Sequence, residues 1–292
     1  MPNTLPRSKS PDGISYHRSG HGAPLVFLHG VGLRAESWQS QIDDLQSDFE
    51  LFALDLPGHG SSSQLKNDMP ELAEYTKCIA NFITTTIGDQ VVIAGHSMGA
   101  MIALDLAARY SALCTGVAAL NAIYRRTPEA HQAVRQRAAS LIEDQARKDT
   151  KQNFAEAPVT RWFGESPVGD EARSSELCRQ WLMEVDREGY SKAYSIFANE
   201  NGPSDEALSN ISVPVLFLTG ENDQNSTPAM SKAMAEAVDR SSSVIVAGAG
   251  HMALMTHGQE VNTSLRDFLS QNQYPAPSQN SGNSKSMREN YP

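Results

Sequence analysis

Cysteine is scarce in this chain, and the few that occur are not arranged to cross-link it. The 292 residues contain Cys78, Cys114 and Cys178, an odd number that lie far apart and form no C-x-x-C pair. Neither a disulfide framework nor a zinc site is indicated, and the pattern is typical of a reducing cytoplasm. With 40% hydrophobic residues, the chain is long enough to bury a core without a metal or disulfide.

The sequence also lacks an excess of basic charge and a long apolar run. Lys and Arg number 24 against 34 Asp and Glu, which gives a net charge of −10. This balance argues against a nucleic-acid partner, whose binding needs a clustered basic face. The most apolar helical stretch, 98–108, contains Asp105 and is shorter than the ~20 residues that span a bilayer. Residues 1–13 hold three prolines and no secretory signal, so we expect neither a membrane nor a nucleic-acid partner.

Short apolar runs recur along most of the chain, each followed by a glycine-containing turn and a helical pattern. They are continuous rather than alternating, as strands buried on both faces of a parallel sheet require. The sequence therefore predicts the α/β class. The six runs are 25–28, 50–54, 91–94, 116–120, 215–218 and 243–246.

The alternation stops between residues 124 and 205, where no strand-like run occurs. Apolar residues at helical spacing, such as Val134, Ala138 and Leu141, predict an all-helical insertion there. After Phe268 the composition is dominated by Gln, Asn, Ser and Pro, which predicts disorder. We therefore divide the chain as follows: an N-terminal extension at 1–11, a core at 12–123 and 206–270, a helical cap at 124–205 and a disordered tail at 271–292.

The pentapeptide Gly95-His96-Ser97-Met98-Gly99 carries the strongest chemical signal. It directly follows the predicted strand 91–94 and precedes a helical pattern, the context of a nucleophile elbow. A turn tight enough to project one hydroxyl needs minimal side chains two residues before and after it. We therefore predict that Ser97 is a nucleophile.

A serine nucleophile needs a base and an acid that orients the base. In the elbow architecture the order along the chain is serine, acid, histidine. Asp223 and His251 each follow a predicted strand, where an open α/β sheet places its ligands. Glu221 is the competing acid. His257 is the rival base, although it lies inside the next helical pattern, where a solvated or capping role is more common.

The oxyanion formed by attack on a carbonyl also needs hydrogen-bond donors. The first is expected to be the backbone N–H of Met98, the residue after the nucleophile. The second is expected from the loop after an earlier strand, and we predict the N–H of Val31. Gly30 and Gly32 are the alternatives there, and Gly30 is also expected to contact the substrate.

Five segments together resemble the serine-nucleophile branch of the α/β-hydrolase superfamily. They are HGVG at 29–32, DLPGHGSS at 55–62, GHSMG at 95–99, GEND at 220–223 and GAGH at 248–251. The resemblance implies an eight-stranded, mostly parallel sheet with a helical cap inserted after the sixth strand. In the family the second segment is a structural loop, so His59 is assigned no catalytic role.

Within the cap, residues 161–163 and 186–190 are similar to segments of 3-oxoadipate enol-lactonases and their esterase-like relatives. This resemblance implies that Arg161 pairs with a substrate carboxylate and that Trp162 forms a wall of the acyl pocket. Alternatively, Arg161 is solvated and braces the cap while Trp162 packs in the cap core. We favour bracing, because a single arginine in a helical insertion is usually solvated.

The expected function is hydrolysis of a small carboxylic ester or lactone through an acyl-enzyme, with no cofactor. One alternative is C–C bond hydrolysis of a diketone from aromatic ring cleavage, which resembling proteins perform with the same three residues. Another is a noncatalytic ligand-binding receptor on the same fold. The sequence indicates no oligomeric state.

Overall fold

The computed structural model describes residues 4–147 and 154–272. The predicted disordered tail lies outside the described residues except for its first two positions. Within the described part, no helix has both the length and the apolar character needed to cross a bilayer.

The fold is built on one sheet of eight strands in the order β1-β2-β4-β3-β5-β6-β7-β8. The strands from β4 through β3 to β8 pair in parallel, and β1 and β2 pair antiparallel at one edge. The predicted α/β class and mostly parallel sheet are confirmed. The strands are β1 Ser8–Lys9, β2 Ser15–Gly20, β3 Ala23–Leu28, β4 Phe49–Leu54, β5 Val91–His96, β6 Cys114–Leu120, β7 Val215–Gly220 and β8 Ser241–Val246.

The two antiparallel edge strands had no counterpart among the predicted apolar runs. β2 has the sequence SYHRSG, in which only Ser15 and His17 are buried. A strand near the edge of a sheet has part of its surface in water and does not need a continuous apolar run. β1, which pairs with β2, belongs to the residues assigned to the N-terminal extension, and the domain boundaries stay a prediction.

Helices cover the sheet, and between β6 and β7 the described residues form helices without a strand. The helical insertion predicted after the sixth strand is therefore present. The helices are α1 Gln39–Leu45, α2 Leu72–Phe82, α3 Met98–Arg109, α4 Pro128–Arg147, α5 Glu156–Phe163, α6 Gly169–Glu184, α7 Arg187–Asn199, α8 Asp205–Ser209, α9 Pro228–Glu236, α10 Ala253–Thr256 and α11 Gly258–Gln271.

Strand register brings the loops that carry the predicted site to one edge of the sheet. Leu28 at the end of β3 pairs with Gly95 of β5, and His96 pairs with Leu120 at the end of β6. At the other side, Gly220 of β7 pairs with Val246 of β8. The carboxyl ends of these parallel strands therefore lie together, where an α/β sheet forms its ligand sites.

Candidate active site

Ser97 lies on a sharp turn between β5 and α3. Its φ of 55° and ψ of −114° are a strained conformation for a residue with a side chain, of the kind that concentrates at functional sites. A Cβ on Gly95 would overlap the carbonyl of Gly99, and a Cβ on Gly99 would overlap the carbonyl of Leu28. Both glycines are therefore required by the close approach of backbone segments. The amide of Ser97 donates to the carbonyl of Leu120 at 2.8 Å, which fastens the turn to β6.

The side chains of Ser97, His251 and Asp223 form one continuous hydrogen-bonded row. The Ser97 hydroxyl lies 3.3 Å from Nε2 of His251, and Nδ1 of His251 lies 2.8 Å from Oδ2 of Asp223. All three residues are buried, with exposures of 7%, 6% and 2% respectively. Because the carboxylate only accepts, the His251 proton lies on Nδ1, which leaves Nε2 free to accept from Ser97.

Asp223 is held by more donors than His251 alone. Asn121, just beyond the end of β6, donates its Nδ2–H to the same carboxylate oxygen at 2.8 Å. The other oxygen accepts the amides of Asn225 and Ser226 at 2.8 and 3.1 Å. Burial by itself would raise the pKa of this carboxyl, but His251 and these donors hold it below its ordinary value. The residue is thus kept ionised beside the imidazole.

The two competing residues lie elsewhere. Glu221 is exposed, and its carboxylate accepts the amide of Gly248 at 2.9 Å. The Nδ1 atom of His257 lies 2.9 Å from the hydroxyl of Thr256, and His257 directly precedes α11. The structure brings neither of them into the row that ends at Ser97.

His96, next to Ser97 in the chain, hydrogen-bonds to the backbone of His251. Its Nε2–H donates to the carbonyl of His251 at 2.9 Å, and the two rings lie 5.1 Å apart. Burial lowers the pKa of His96 to about 3, so the ring is neutral at physiological pH. The sequence offered no signal for this contact, which joins the ends of β5 and β8.

The loop after β3 lies against Ser97. A Cβ on Gly30 would stand 3.1 Å from Cβ of Ser97, so the backbone that leads to Val31 contacts the elbow. The amide of Gly32 is already used, since it donates to Nε2 of His59 at 3.0 Å. Met98 is the first residue of α3, and amides in the first turn of a helix lack intrahelical acceptors. The geometry thus favours Val31 over Gly32.

A cavity of about 40 Å³ lies above Ser97. We call its core-domain side the floor: Gly30, Val31, Leu33, His96, Ser97, Asn225, His251 and Met252. We call its cap side the roof: Arg137, Arg161, Trp162, Tyr190, Tyr194 and Phe197.

The structure places the predicted residues Arg161 and Trp162 on the roof and adds a second arginine, Arg137. Arg137 is half-buried and donates from Nε to the hydroxyl of Tyr194 at 3.2 Å, whereas Arg161 is exposed. Neither guanidinium forms an ion pair with a carboxylate among residues 4–142 and 154–272, whose side chains the structure describes. Sequence reasoning missed Arg137. It lies three residues after Val134, which belongs to the apolar face of α4.

The aromatic residues of the roof come mainly from one face of α7. Tyr190, Tyr194 and Phe197 are spaced at i, i+4 and i+7, and the ring centroids of the two tyrosines lie 5.8 Å apart. This helical spacing was a signal available in the sequence. It does not by itself separate a pocket wall from an ordinary core face, because both need apolar residues at that spacing.

Candidate metal ligands are not clustered in the described residues. No group of three or more His, Cys, Asp and Glu side chains in that part of the chain is arranged to hold an ion. The Ser97 hydroxyl lies instead beside Nε2 of His251, an arrangement that suits proton transfer.

Comparisons with known proteins agree on one family. The sequence profile described as "Alpha/beta hydrolase family" matches residues 25–263. The (E)-2-((N-methylformamido)methylene)succinate hydrolase of Acinetobacter baylyi is 35% identical over 254 residues, which cover 87% of this chain and 93% of that protein.

Solved structures give the same picture of the fold. An esterase from Thermogutta terrifontis, with malate bound, superposes with a TM-score of 0.79 at 26% identity and covers 92% of this chain and 99% of its own. The enol-lactonase from Burkholderia xenovorans LB400 superposes with a TM-score of 0.78 at 22% identity and covers 91% of this chain and all of its own. The predicted fold is thereby confirmed.

Proposed function

Because the chain belongs to the alpha/beta hydrolase family, we propose that it is a serine hydrolase that cleaves a small carboxylic ester or lactone through an acyl-enzyme. The observation that carries this proposal is the hydrogen-bonded row from Asp223 through His251 to Ser97, which ends at a cavity. A nucleophile, a base and an orienting acid in this order are the requirements of acyl transfer by serine.

In the proposed reaction, the Ser97 hydroxyl attacks the substrate carbonyl while Nε2 of His251 takes its proton. Asp223 stabilises the imidazolium and keeps the ring oriented. When the tetrahedral intermediate collapses, His251 returns the proton to the leaving oxygen. Water then attacks the acyl-enzyme by the same route, with His251 as the base, and releases the acid and Ser97.

We assign two backbone N–H groups as the donors that stabilise the negative charge on the tetrahedral intermediate. Met98 N–H lies at the start of α3, where the helix dipole also favours negative charge. Val31 N–H lies in the loop that contacts the elbow through Gly30. Such donors stabilise the charge that develops in the transition state more than they stabilise the ground state.

We further propose that the substrate carries a carboxylate, held by Arg137 and Arg161. Two guanidinium groups without an ion pair line a small pocket, and arginine binds carboxylates in a planar, bidentate manner. The succinate named for the Acinetobacter relative and the malate bound to the Thermogutta esterase are both dicarboxylates. These observations support a gripping role for Arg161 over a purely bracing one.

A second candidate is hydrolysis of an amide-bearing unsaturated dicarboxylate. It is favoured by the Acinetobacter relative, whose name specifies an N-methylformamido group on a methylene succinate. The same nucleophile, base and oxyanion donors serve when the leaving atom is nitrogen, since His251 would protonate it.

The test is a fluorophosphonate probe followed by a substrate screen. Ser97 should become phosphonylated, detected by mass at the peptide that contains it, and Ser97→Ala should not react. The screen compares p-nitrophenyl esters, lactones and ring-fission diketones, each with and without a carboxylate. It also includes the succinate named for the Acinetobacter relative. Labelling without turnover of any of these classes would favour a receptor. Turnover of diketones alone would favour C–C hydrolysis.

A further inference from the structure

Two buried histidines connect the loops that follow β3 and β4 by hydrogen bonds. His59 in the second loop accepts the amide of Gly32 in the first, at 3.0 Å from its Nε2. His29 in the first loop accepts the amide of Leu56 in the second, at 2.9 Å from its own Nε2. Each loop therefore donates a backbone N–H to the histidine of the other, and the two rings lie 5.2 Å apart.

The partners of these rings determine where their protons lie. A backbone N–H can only donate, so Nε2 of both rings must be unprotonated. The Nδ1 atoms face carbonyl oxygens, that of Pro57 at 3.2 Å for His59 and that of Gly30 at 2.7 Å for His29. Burial lowers the pKa of His29 to about 3 and that of His59 to about 4. Both rings are therefore neutral, and both ring nitrogens have a partner.

The His59 contact constrains the backbone that carries the proposed oxyanion donor. Gly32 has a φ of +79°, and its amide belongs to the peptide that follows Val31. With that amide held by His59, the peptide plane between the two residues has one orientation. Gly30, on the other side of Val31, contacts Ser97. Val31 therefore lies between a peptide held by His59 and a glycine in contact with Ser97.

The loop that carries His59 is itself held in place. A Cβ on Gly58 would stand 2.7 Å from Cα of Gly189 near the start of α7, so the two backbones are in direct contact. Gly32 is similarly close to the cap, since a Cβ there would stand 2.8 Å from the ring of Tyr190. His59 is therefore a rigid support, and it is not among the residues that line the cavity.

From this geometry we propose that His59 is a positioning residue, whose Nε2 holds the Gly32 amide and thereby aims the Val31 N–H at the oxyanion formed by attack of Ser97. The inference rests on the proposed function. It assigns His59 an effect on the chemical step without contact to the substrate. The His59 side chain should consequently affect kcat far more than KM.

The experiment uses two amide replacements that differ by one methylene. In His59→Gln, Oε1 can occupy about the place of Nε2 and accept the Gly32 amide, whereas the side chain in His59→Asn is too short to reach it. With p-nitrophenyl acetate we expect His59→Asn to lose roughly 10²-fold in kcat, the low end of the loss of one oxyanion donor, with KM within about threefold. His59→Gln should stay within about tenfold of wild type.

His17→Leu is the matched control for loss of a buried histidine. His17 in β2 is also buried, and Nδ1 faces the carbonyl of Pro6 at 3.0 Å, but among the described residues it forms no hydrogen bond to the loop after β3. Its replacement should lower the melting temperature and leave kcat unchanged. Equal losses in His59→Asn and His59→Gln, or a kcat within threefold of wild type in His59→Asn, would overturn the proposal.

The fluorophosphonate reaction gives a second readout. The Ser97 oxygen forms a bond to phosphorus, fluoride leaves, the proton passes to His251, and the phosphoryl oxygen occupies the place of the oxyanion. The maximal rate of labelling should fall in His59→Asn by about the same factor as kcat, and recover in His59→Gln. Unlabelled, fully active Ser97→Ala would reject the proposed function, whereas an inactive Ser97→Ala with normal labelling of His59→Asn would reject only this inference.

Discussion

The floor and the roof of the cavity satisfy their polar groups in opposite ways. On the floor, His251 is bonded to Ser97 and to Asp223, which lies outside the cavity lining and accepts four hydrogen bonds within the fold. On the roof, Arg137 and Arg161 carry charges without an ion pair in the described chain. A group that must keep one geometry is surrounded by protein partners, while a charge without a countercharge from the protein is available to an anionic ligand.

The two sides also differ in the structure that supports them. The floor lies on loops at the ends of sheet strands, where glycines at 30, 95 and 99 allow backbone segments to touch. The roof lies on helices of the cap, where Arg161 is exposed and Trp162 is only half-buried. We infer that the floor determines which reaction occurs and that the roof determines which substrate undergoes it. The following substitutions test this division.

The largest effect is expected on the floor, at Ser97. Ser97→Ala should lower kcat by about 10⁴ to 10⁶ for every substrate, since the triad acts as a unit. The fold should persist, because alanine meets the same backbone strain at this position as serine does. Melting temperature and kcat measured on the same preparation check both statements. A loss of less than about tenfold, or ~1.4 kcal/mol of barrier, would remove Ser97 as the nucleophile.

The next largest effect is expected at Asp223. Asp223→Asn should lower kcat by at least ~10³, because the imidazole loses its orienting partner and the countercharge of its protonated form. Glu221→Gln is the matched control, since Glu221 is an exposed carboxylate on the same loop. It should change kcat by less than about threefold. If the two losses were reversed, the acid would have to be reassigned to Glu221.

On the roof, substitution should change KM and should depend on the substrate. Arg161→Ala and Arg137→Ala should each raise KM by roughly 10- to 100-fold for a carboxylate-bearing substrate and barely affect a neutral ester of similar size. Arg173→Ala is the control, because Arg173 is an exposed cap arginine paired with Asp170 on its own helix.

The bracing role of Arg161 makes a different prediction for the same experiment. If Arg161 only braces the cap, acidic and neutral substrates should suffer alike and the melting temperature should fall. Steady-state kinetics on a matched acidic and neutral pair, together with thermal melts, separates the two roles.

The last prediction concerns acid stability. Burial lowers the pKa of His29, His59 and His96 to about 3, 4 and 3, below the unfolded value near 6.5. The unfolded chain therefore binds more protons than the folded chain as pH falls below about 6.5. As the pH falls from about 6.5 to the folded pKa of each histidine, that histidine should lower the free energy of unfolding by about 1.4 kcal/mol per pH unit.

Denaturant titrations at a series of pH values between 6.5 and 4.5 measure this loss. Replacing His59 by Gln should reduce the slope by about one proton, whereas Arg161→Ala on the roof should leave it unchanged. A slope that is the same in wild type and His59→Gln would contradict a neutral, buried His59.

Much of the floor could be predicted from the sequence because its requirements are local. Continuous apolar runs indicated six of the eight strands, and the glycines around Ser97 follow from the close approach of neighbouring backbone. Asp223 and His251 were selected because each follows a strand, and parallel strands end at one edge of a sheet. The edge strands β1 and β2 were missed because their sequences, such as SYHRSG, do not form apolar runs.

Only the tertiary structure could decide the contacts between residues that lie far apart in the chain and have no local pattern. The bond of Asn121 to Asp223 and the contact of His96 with the His251 backbone join loops from different strands. Arg137 faces the cavity because of how α4 packs, which its own sequence does not specify. Local backbone constraints act over a few residues and can be read from them, whereas side-chain partners depend on how whole elements pack together.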